Sequence, residues 1–393
     1  MRAKQVHLLG RLVFPLALLG CLLLSACAGS SPVQSAPTRS PAKSPPFVAK
    51  LQPLLQAQMQ QLRIPGAIVY VNDPGQGSWS TALGMGNLAT REPMQVNNYM
   101  RVGSISKTFT ATIILQLVDQ HKLGLDDPVS KYQPEVPNGA HITIRELLIL
   151  SSGLYTYDAD EGYDQALLAN PYKVWQPEEL LAFAFKHPPV FAPGKGYLYD
   201  NTNYILLGLI MQQLTHLPAA QAWQRYLFGP LGMRQTSLPR PTSSAIPVPH
   251  AQGYIYGTDF TGRGPTLNVT DWNPSWAWAA GGAISTLHDL QIWAKALATG
   301  QLLSAATQQQ RLSSWNNNTG LFWLGKPWRY GLGVVDWAGF LGHSGDLFGF
   351  NSWMAYQPQT GATIIVLTNL IAAAGPIAPA QKMAEVIQHE LFA

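Results

Sequence analysis

The sequence predicts an α/β protein of the α+β type, in which helices flank an antiparallel β-sheet and a mostly helical lobe is attached. A strand and its hairpin partner are predicted early in the globular body, at 67–71 and 78–83. Strand patterns return only near the end, at 333–337, 348–356 and 362–368. The intervening chain is mostly helical in pattern, so the two ends are expected to pair into one sheet.

The helices follow from apolar residues that recur at helical spacing. The strongest pattern has Ile105, Phe109, Ile113 and Leu117 four residues apart, which indicates a largely buried helix. A first helix is predicted near 47–62 and a closing helix near 378–391. The middle helices define a helical lobe from about 110 to 298, and the best of them lie at 147–150, 177–185 and 204–214.

The composition indicates a large folded body. The chain has 393 residues, of which 47% are hydrophobic and only 12% charged, whereas about a quarter of a typical soluble chain is charged. This size suits one large domain or two lobes. No internal repeat is visible.

The first 26 residues have the layout of a secretory signal peptide. Arg2, Lys4 and Arg11 form a basic region, and 12–24 is an apolar run too short to span a membrane comfortably. Small residues then precede Cys27, which resembles a bacterial lipobox. The resemblance implies that Cys27 is lipidated after cleavage. The alternatives are an ordinary signal peptide and an uncleaved signal anchor.

This interpretation predicts three segments and a location. Residues 1–26 are the signal peptide, 27–46 are a Ser/Pro-rich tether, and 47–393 are the globular domain. The protein is expected to be extracytoplasmic and lipid-anchored to the cell membrane. Removal of the three basic residues lowers the formal net charge from +4 to +1, so the charge gives no reason to expect nucleic-acid binding. The domain then has no cysteine for a disulfide or a nucleophile.

Ser104 and Lys107 form an S-x-x-K pattern at the first turn of the strongest predicted helix. A serine hydroxyl is a weak nucleophile until a base removes its proton. Residues three apart share a helix face, so Lys107 can reach that hydroxyl, and a desolvated lysine can act as the base. The unpaired N–H groups of a helix N-terminus suit an oxyanion. The alternative is a capping serine beside a solvated lysine.

Tyr199 and Asn201 are predicted to lie in a loop, between a turn at 192–194 and a helical pattern that begins at 203. A phenol close to Lys107 can pass the serine proton to a leaving group. An asparagine amide can donate to a substrate carbonyl and accept from a substrate N–H. The alternative is an Asx turn that caps the following helix.

His343, Ser344 and Gly345 precede the strand pair near the end of the chain. Gly345 is expected to let a substrate backbone approach closely. The N–H of Asp346 is expected to join that of Ser104 in a two-donor oxyanion hole. His343 is expected to support the tyrosine or the substrate, with a charge that varies near neutral pH. The alternative is a structural histidine.

In this order the three motifs resemble the active site of the serine β-lactamase-like superfamily, which includes class C β-lactamases, D-alanyl-D-alanine carboxypeptidases and esterases. The flanks at 101–110, 123–129, 142–148 and 152–154 match too, and the resemblance covers about 47–391. It implies a β-lactamase/transpeptidase-like fold in which Ser104 is acylated. By the same resemblance Lys107 and Tyr199 move protons, while Asn201 and the strand that carries Ser344 and Gly345 bind substrate.

Two departures from the family pattern concern the substrate. Class C β-lactamases usually have Lys-Thr-Gly where this chain has a motif that begins with His343, and a fixed positive charge there helps to bind a carboxylate. Asp346 adds a negative side chain at the same place, which repels an anionic substrate if it points inward. Both differences count against β-lactamase activity. They are compatible with a carboxypeptidase, and they favour an esterase, amidase or D-aminopeptidase.

We therefore expect an extracytoplasmic serine hydrolase that acts through a Ser104 acyl-enzyme on amide or ester bonds, as D,D-peptidases and esterases do. A class C-like β-lactamase and a penicillin- or wall-peptide-binding protein without turnover are the alternatives. The expected partners are a small-molecule or peptide substrate and the membrane, with no nucleic acid, cofactor or metal. The sequence leaves open the oligomeric state and whether Lys107 or Tyr199 is the base.

Overall fold

The computed structural model describes residues 44–257, 264–316, 322–323, 326–371 and 378–392. The signal peptide, Cys27 and most of the predicted tether lie outside these residues, so their boundaries remain predictions, as does the boundary of the helical lobe. Within the described ranges, no helix combines the length and the apolar character that a membrane span requires.

The strands of the described residues form one large antiparallel sheet and two small two-stranded sheets. The large sheet has nine strands in the order β3-β2-β1-β13-β12-β11-β10-β9-β8, β4 pairs with β7, and β5 pairs with β6. The strands are β1 (Gly66–Asp73), β2 (Gly77–Asn87), β3 (Glu92–Pro93), β4 (Met100–Arg101), β5 (Tyr254–Tyr256), β6 (Thr266–Asn268), β7 (Ile284–Ser285), β8 (Phe322–Trp323), β9 (Lys326–Tyr330), β10 (Val335–Trp337), β11 (Phe340–Leu347), β12 (Phe350–Tyr356) and β13 (Thr363–Thr368).

The two ends of the chain meet at the centre of the large sheet. Strand β1 pairs with β13, with Ala67 opposite Thr368 and Asn72 opposite Thr363, and β13 continues into β12. The predicted assembly of one antiparallel sheet from an early hairpin and a late meander is therefore confirmed. Strands β3 to β9 lie outside the predicted strand ranges, and β9 shows one reason. It contains Pro327 and lies near one edge of the sheet, where a proline is tolerated but the strand pattern is lost.

The helices surround this sheet and fill the middle of the chain. They are α1 (Val48–Leu62), α2 (Ile105–Asp119), α3 (Ile144–Leu148), α4 (Glu161–Ala169), α5 (Pro177–Phe185), α6 (Asn201–Thr215), α7 (Ala219–Trp223), α8 (Gly229–Leu231), α9 (Trp278–Gly281), α10 (Leu287–Thr299), α11 (Ala305–Ser313) and α12 (Pro379–Phe392). Helices α2, α6 and α9 pack against one another, and α2 also packs against β11.

Helix α2 is buried on nearly all sides, which positions the residues at its start. Phe109 packs against Trp223, Phe228 and Trp293, with ring centroids 4.8 to 5.4 Å apart. The indole N–H of Trp293 donates to the Thr108 hydroxyl at 2.7 Å, so a polar residue of the helix is also satisfied inside the core. A helix held in this way gives its first turn a defined position at the β11 edge.

Truncation of a side chain at the sheet centre is expected to destabilise the fold. Ile365 of β13 is fully buried and lies opposite both Tyr70 and Met354. Because Ile365→Ala loses buried apolar area and leaves a cavity, it should lower the free energy of unfolding by about 2–5 kcal/mol. Denaturant unfolding checks this, with Val190→Ala as the control, since Val190 is 52% exposed. Equal effects of the two changes would contradict the assigned centre of the core.

Candidate active site

The backbone around Ser104 lies directly against strand β11. Gly103 has φ +53°, and a Cβ atom there would lie 2.4 Å from the Asp346 nitrogen. A Cβ atom on Gly345 would lie 2.0 Å from the Val102 carbonyl oxygen and 2.9 Å from the Ser104 nitrogen. Both glycines are therefore required for the two segments to approach. Gly345 was expected to let a substrate backbone approach closely. In the structure, the missing side chain of Gly345 makes room for the backbone of Val102 and Ser104.

This approach brings together the two N–H groups that the sequence analysis named as oxyanion donors. The Ser352 hydroxyl donates to the Val102 carbonyl at 2.9 Å, which ties β12 to the segment that precedes Ser104. Ser104 itself comes just before α2 with φ −65° and ψ −2°, so its N–H belongs to the first turn of a helix. Developing negative charge on a carbonyl oxygen is stabilised by such a pair of preorganised donors.

Lys107 is completely buried and its amine contacts the proposed nucleophile. Its Nζ donates to Ser104 Oγ at 3.1 Å, to Asn201 Oδ1 at 2.5 Å and to the Ala280 carbonyl at 3.0 Å. Desolvation by burial lowers the pKa of Lys107 to about 7. Three carboxylates oppose that shift by attracting the ammonium charge, and they belong to Asp158, Asp200 and Asp346. A substantial fraction of this lysine is thus neutral at pH 7 and can accept a proton.

Tyr199 lies close to both Ser104 and Lys107. Its side chain hydrogen-bonds Ser104, and its ring centroid is 4.9 Å from Lys107 Nζ. Loss of hydration among the surrounding rings raises the pKa of Tyr199 well above its ordinary range, although the Ser104 bond works in the opposite direction. The phenol therefore keeps its proton at neutral pH and is suited to donating one.

Asn201 is the first residue of α6 rather than part of a loop, so the loop prediction for this residue was wrong. Asp200 caps the helix by accepting from the Thr202 N–H at 2.6 Å. The side chain of Asn201 accepts from Lys107 and donates through Nδ2 to Asp158 Oδ2 at 2.6 Å. In this structure Asn201 positions the lysine, and one amide hydrogen remains to reach a substrate.

Asp158 is the site residue that sequence reasoning missed. It lies in a short 3-10 turn, Tyr157–Ala159, and receives hydrogen bonds from the Asn201 amide and the Thr156 hydroxyl. The flank at 152–154, which matches the family pattern, lies just before Asp158 and was the one sequence signal near this residue. No periodicity or spacing in the sequence places this carboxylate beside a residue 43 positions away.

His343 is buried inside the protein rather than presented to the cleft. It is fully inaccessible, with Nε2 3.0 Å from the Tyr330 hydroxyl and Nδ1 2.5 Å from the Ser344 carbonyl. Burial, with a smaller contribution from the charge of Lys107, lowers the pKa of His343 to about 3, although the bond to the Ser344 carbonyl opposes the shift. The histidine is thus neutral near pH 7, which corrects the expectation of a variable charge. Its ring centroid is 6.3 Å from that of Tyr199, so it supports the wall behind the tyrosine.

Ser344 and Asp346 have solvent-accessible side chains, while Gly345 between them is buried. The Asp346 carboxylate accepts from Asn351 Nδ2 at 2.5 Å. Although Asp346 retains accessible surface, nearby protein removes part of its hydration, and this raises the pKa of Asp346 to about 6. The Asn351 bond and the charge of Lys107 limit the shift. Asp346 is therefore mostly ionised at pH 7.

A metal centre has no support in the part of the chain that the structure describes. Those residues contain no group of three or more His, Cys, Asp or Glu side chains placed to hold a metal ion. The groups that the structure places around Ser104 are a buried amine, a phenol and two backbone donors.

This chain is similar to known proteins in sequence and in structure. The family model described as Beta-lactamase matches residues 51–386. Penicillin-binding protein 4* of Bacillus subtilis is 25% identical over 337 residues, which are 81% of this chain and 71% of that protein. Esterase EstB of Burkholderia gladioli is 27% identical over 218 residues, which are 53% of this chain and 55% of the esterase.

A solved structure of a D-stereospecific amidohydrolase from Streptomyces sp. superposes with a TM-score of 0.75 and 30% identity. The superposition covers 87% of this chain and 98% of that one. The sequence alignments with curated relatives cover from 54% to 85% of each relative's own length, so the chain spans only part of several of them.

Substitutions of Asp158 should separate its hydrogen bond from its charge. Asp158→Ala removes both, so Asn201 and Lys107 lose their orientation and kcat should fall by about 10–100-fold. Asp158→Asn can still accept from Asn201 but lacks the charge that favours protonated Lys107, so activity should be largely kept. Because the base must be neutral, activity falls as pH drops through the pKa of Lys107, and in Asp158→Asn this fall should occur at lower pH.

The measurement is the pH dependence of kcat/KM with p-nitrophenyl acetate for the wild type and both variants. Equal losses in Asp158→Ala and Asp158→Asn, with unchanged pH profiles, would show that Asp158 acts only on folding.

Proposed function

The chain belongs to the beta-lactamase family of serine hydrolases, and from that premise we propose that it cleaves amide or ester bonds through an acyl-enzyme on Ser104. The observation that carries the proposal is the fully buried Lys107 amine, 3.1 Å from Ser104 Oγ, with a pKa of about 7. A neutral amine in hydrogen-bond contact with a serine is the arrangement that activates such a nucleophile.

The proposed first half-reaction transfers the acyl group to the protein. Ser104 Oγ attacks the substrate carbonyl carbon as its proton passes to Lys107. The backbone N–H groups of Ser104 and Asp346 stabilise the oxyanion. The bond to the leaving group then breaks while the Tyr199 phenol donates a proton to the departing nitrogen or oxygen, and the Lys107 proton restores the phenol.

In the second half-reaction water attacks the Ser104 ester. One proton of the water passes to Lys107, and the bond between the acyl carbon and Oγ breaks as the Tyr199 phenol donates its proton to Oγ. The Lys107 proton then restores the phenol, the Ser104 hydroxyl is regenerated and the carboxylic acid product leaves. This scheme makes Lys107 the base in the free enzyme and Tyr199 the proton donor, because the phenol has a pKa well above its ordinary range whereas that of the amine is about 7. Amides and simple esters are the substrate classes proposed.

We also propose that the protein works outside the cytoplasm on a lipid anchor at Cys27. The support is the basic, apolar and small-residue order of the first 26 residues and the Ser/Pro-rich stretch that follows. A tether of about 20 residues would let the domain, which begins near Phe47, reach substrates away from the membrane surface.

Labelling of Ser104 is the direct test of the acyl-enzyme. The purified protein should gain the mass of one adduct with a fluorophosphonate, and Ser104→Ala should gain none and lose ester hydrolysis. Ser313→Ala is the matched control, because Ser313 is exposed on α11. A fully active Ser104→Ala variant would end the proposal.

The same mass measurement after exposure to a penicillin separates the alternatives. A stable adduct without turnover indicates a penicillin-binding protein, and rapid release of hydrolysed penicillin indicates a β-lactamase. Labelling by the fluorophosphonate alone indicates an esterase or amidase.

The anchor is tested by Cys27→Ser in a bacterial host. The wild-type protein should fractionate with membranes and carry a lipid mass at its N-terminus, because acyl chains on Cys27 hold it there. Cys27→Ser should appear in the soluble fraction or remain as an uncleaved precursor. A wild-type protein without lipid would contradict the lipoprotein assignment.

A further inference from the structure

The Asp346 carboxylate lies beside the proposed reaction centre. The residue's own backbone N–H is one of the two proposed oxyanion donors, so its side chain starts next to the position of the substrate carbonyl oxygen. Strand β10 pairs with β11 only at 340–342. The part of β11 that carries Asp346 thus pairs with β12 along one edge, and the Ser104 segment lies against the strand at Gly345.

A hydrogen bond from Asn351 fixes the orientation of the Asp346 carboxylate. The buried Asn351 donates to Asp346 Oδ1 at 2.5 Å and to the Gly345 carbonyl at 3.0 Å. Asn351 is itself held by the Ala380 N–H at the start of α12, at 2.6 Å. Within the described residues no group donates a hydrogen bond to Oδ2, and no cation forms an ion pair with Asp346. One oxygen is therefore left for a ligand.

The charge around the nucleophile is predominantly negative. Asp158 and Asp346 both act electrostatically on Lys107, whose amine is buried and engaged with three acceptors. The neighbouring His343 carries no charge near neutral pH. A carboxylate on the substrate would be repelled here, while an ammonium group would meet Asp346 Oδ2, which accepts no hydrogen bond from the described residues.

We propose that Asp346 determines substrate specificity by binding an ammonium group, so that the preferred substrates are amides or esters of amino acids or peptides with a free α-amino group on the acyl side. This inference rests on the proposed function and deepens it. The α-amino group is the natural ligand because only one carbon separates it from the scissile carbonyl, whose oxygen lies beside the Asp346 N–H. Penicillins and peptides with a C-terminal carboxylate at this position are disfavoured.

The test compares substrates that differ only in the ammonium group. Phenylalanine p-nitroanilide, as each stereoisomer, and 3-phenylpropionyl p-nitroanilide have the same leaving group and ring. At pH 7, below the usual pKa of about 8 for an α-amino group, wild-type kcat/KM should favour the amine-bearing substrate by about 10–100-fold, as expected for a hydrogen bond to a charged group.

Asp346→Asn keeps the acceptor for Asn351 and removes the charge. It should abolish most of the preference, because KM rises for the amine-bearing substrate only, whereas any disturbance of the Asp346 N–H would lower kcat for both substrates alike. Glu92→Gln is the matched control, because it removes one exposed carboxylate from the short strand β3 at the far end of the sheet order. This control should keep the full preference.

A second readout does not require turnover. Phenylalanine amide should slow the labelling of Ser104 by a fluorophosphonate at lower concentrations than 3-phenylpropionamide does, and Asp346→Asn should remove that difference. Equal protection by both amides, or equal losses on both substrates in Asp346→Asn, would overturn the inference. Ser104-dependent labelling would still support the acyl-enzyme in that case, so the two failures are distinguishable.

Discussion

Burial of a single amine is the constraint on which the rest of the site depends. Lys107 lies inside the core, where an ammonium group is costly, and three acceptors hold its nitrogen in place. The same burial brings its pKa to about 7. Stability and reactivity are therefore coupled here, because the environment that disfavours the charge creates a base that works near neutral pH.

The fold supplies this environment by placing three unrelated segments around one helix end. Helix α2 presents Ser104 and Lys107, the start of α6 presents Asn201, and the short helix α9 offers a carbonyl to the amine. The large sheet adds β11, which approaches the Ser104 backbone only because two glycines lack side chains. Since β1 and β13 pair within this sheet, the site depends on contacts between segments that are distant in sequence.

The residues around the Lys107 amine differ in charge and in the groups they hold in place. Burial keeps the phenol of Tyr199 protonated and the ring of His343 neutral. Asp158 holds the Asn201 amide, and Asn351 holds one oxygen of Asp346. Lys107 is thus fully buried and Tyr199 partly buried, whereas Asp346 carries its charge on an exposed residue.

The sequence by itself determined the sheet built from both ends, the buried helix after Ser104 and the identities of the S-x-x-K pair, because hydrophobic periodicity and short spacings are local properties. It did not reveal Asp158, the start of α6 at Asn201, or the burial of His343. Those depend on contacts such as Asn201 with Asp158 and His343 with Tyr330. Only the tertiary structure decided these features, because desolvation and hydrogen-bond partners arise where segments distant in sequence pack together.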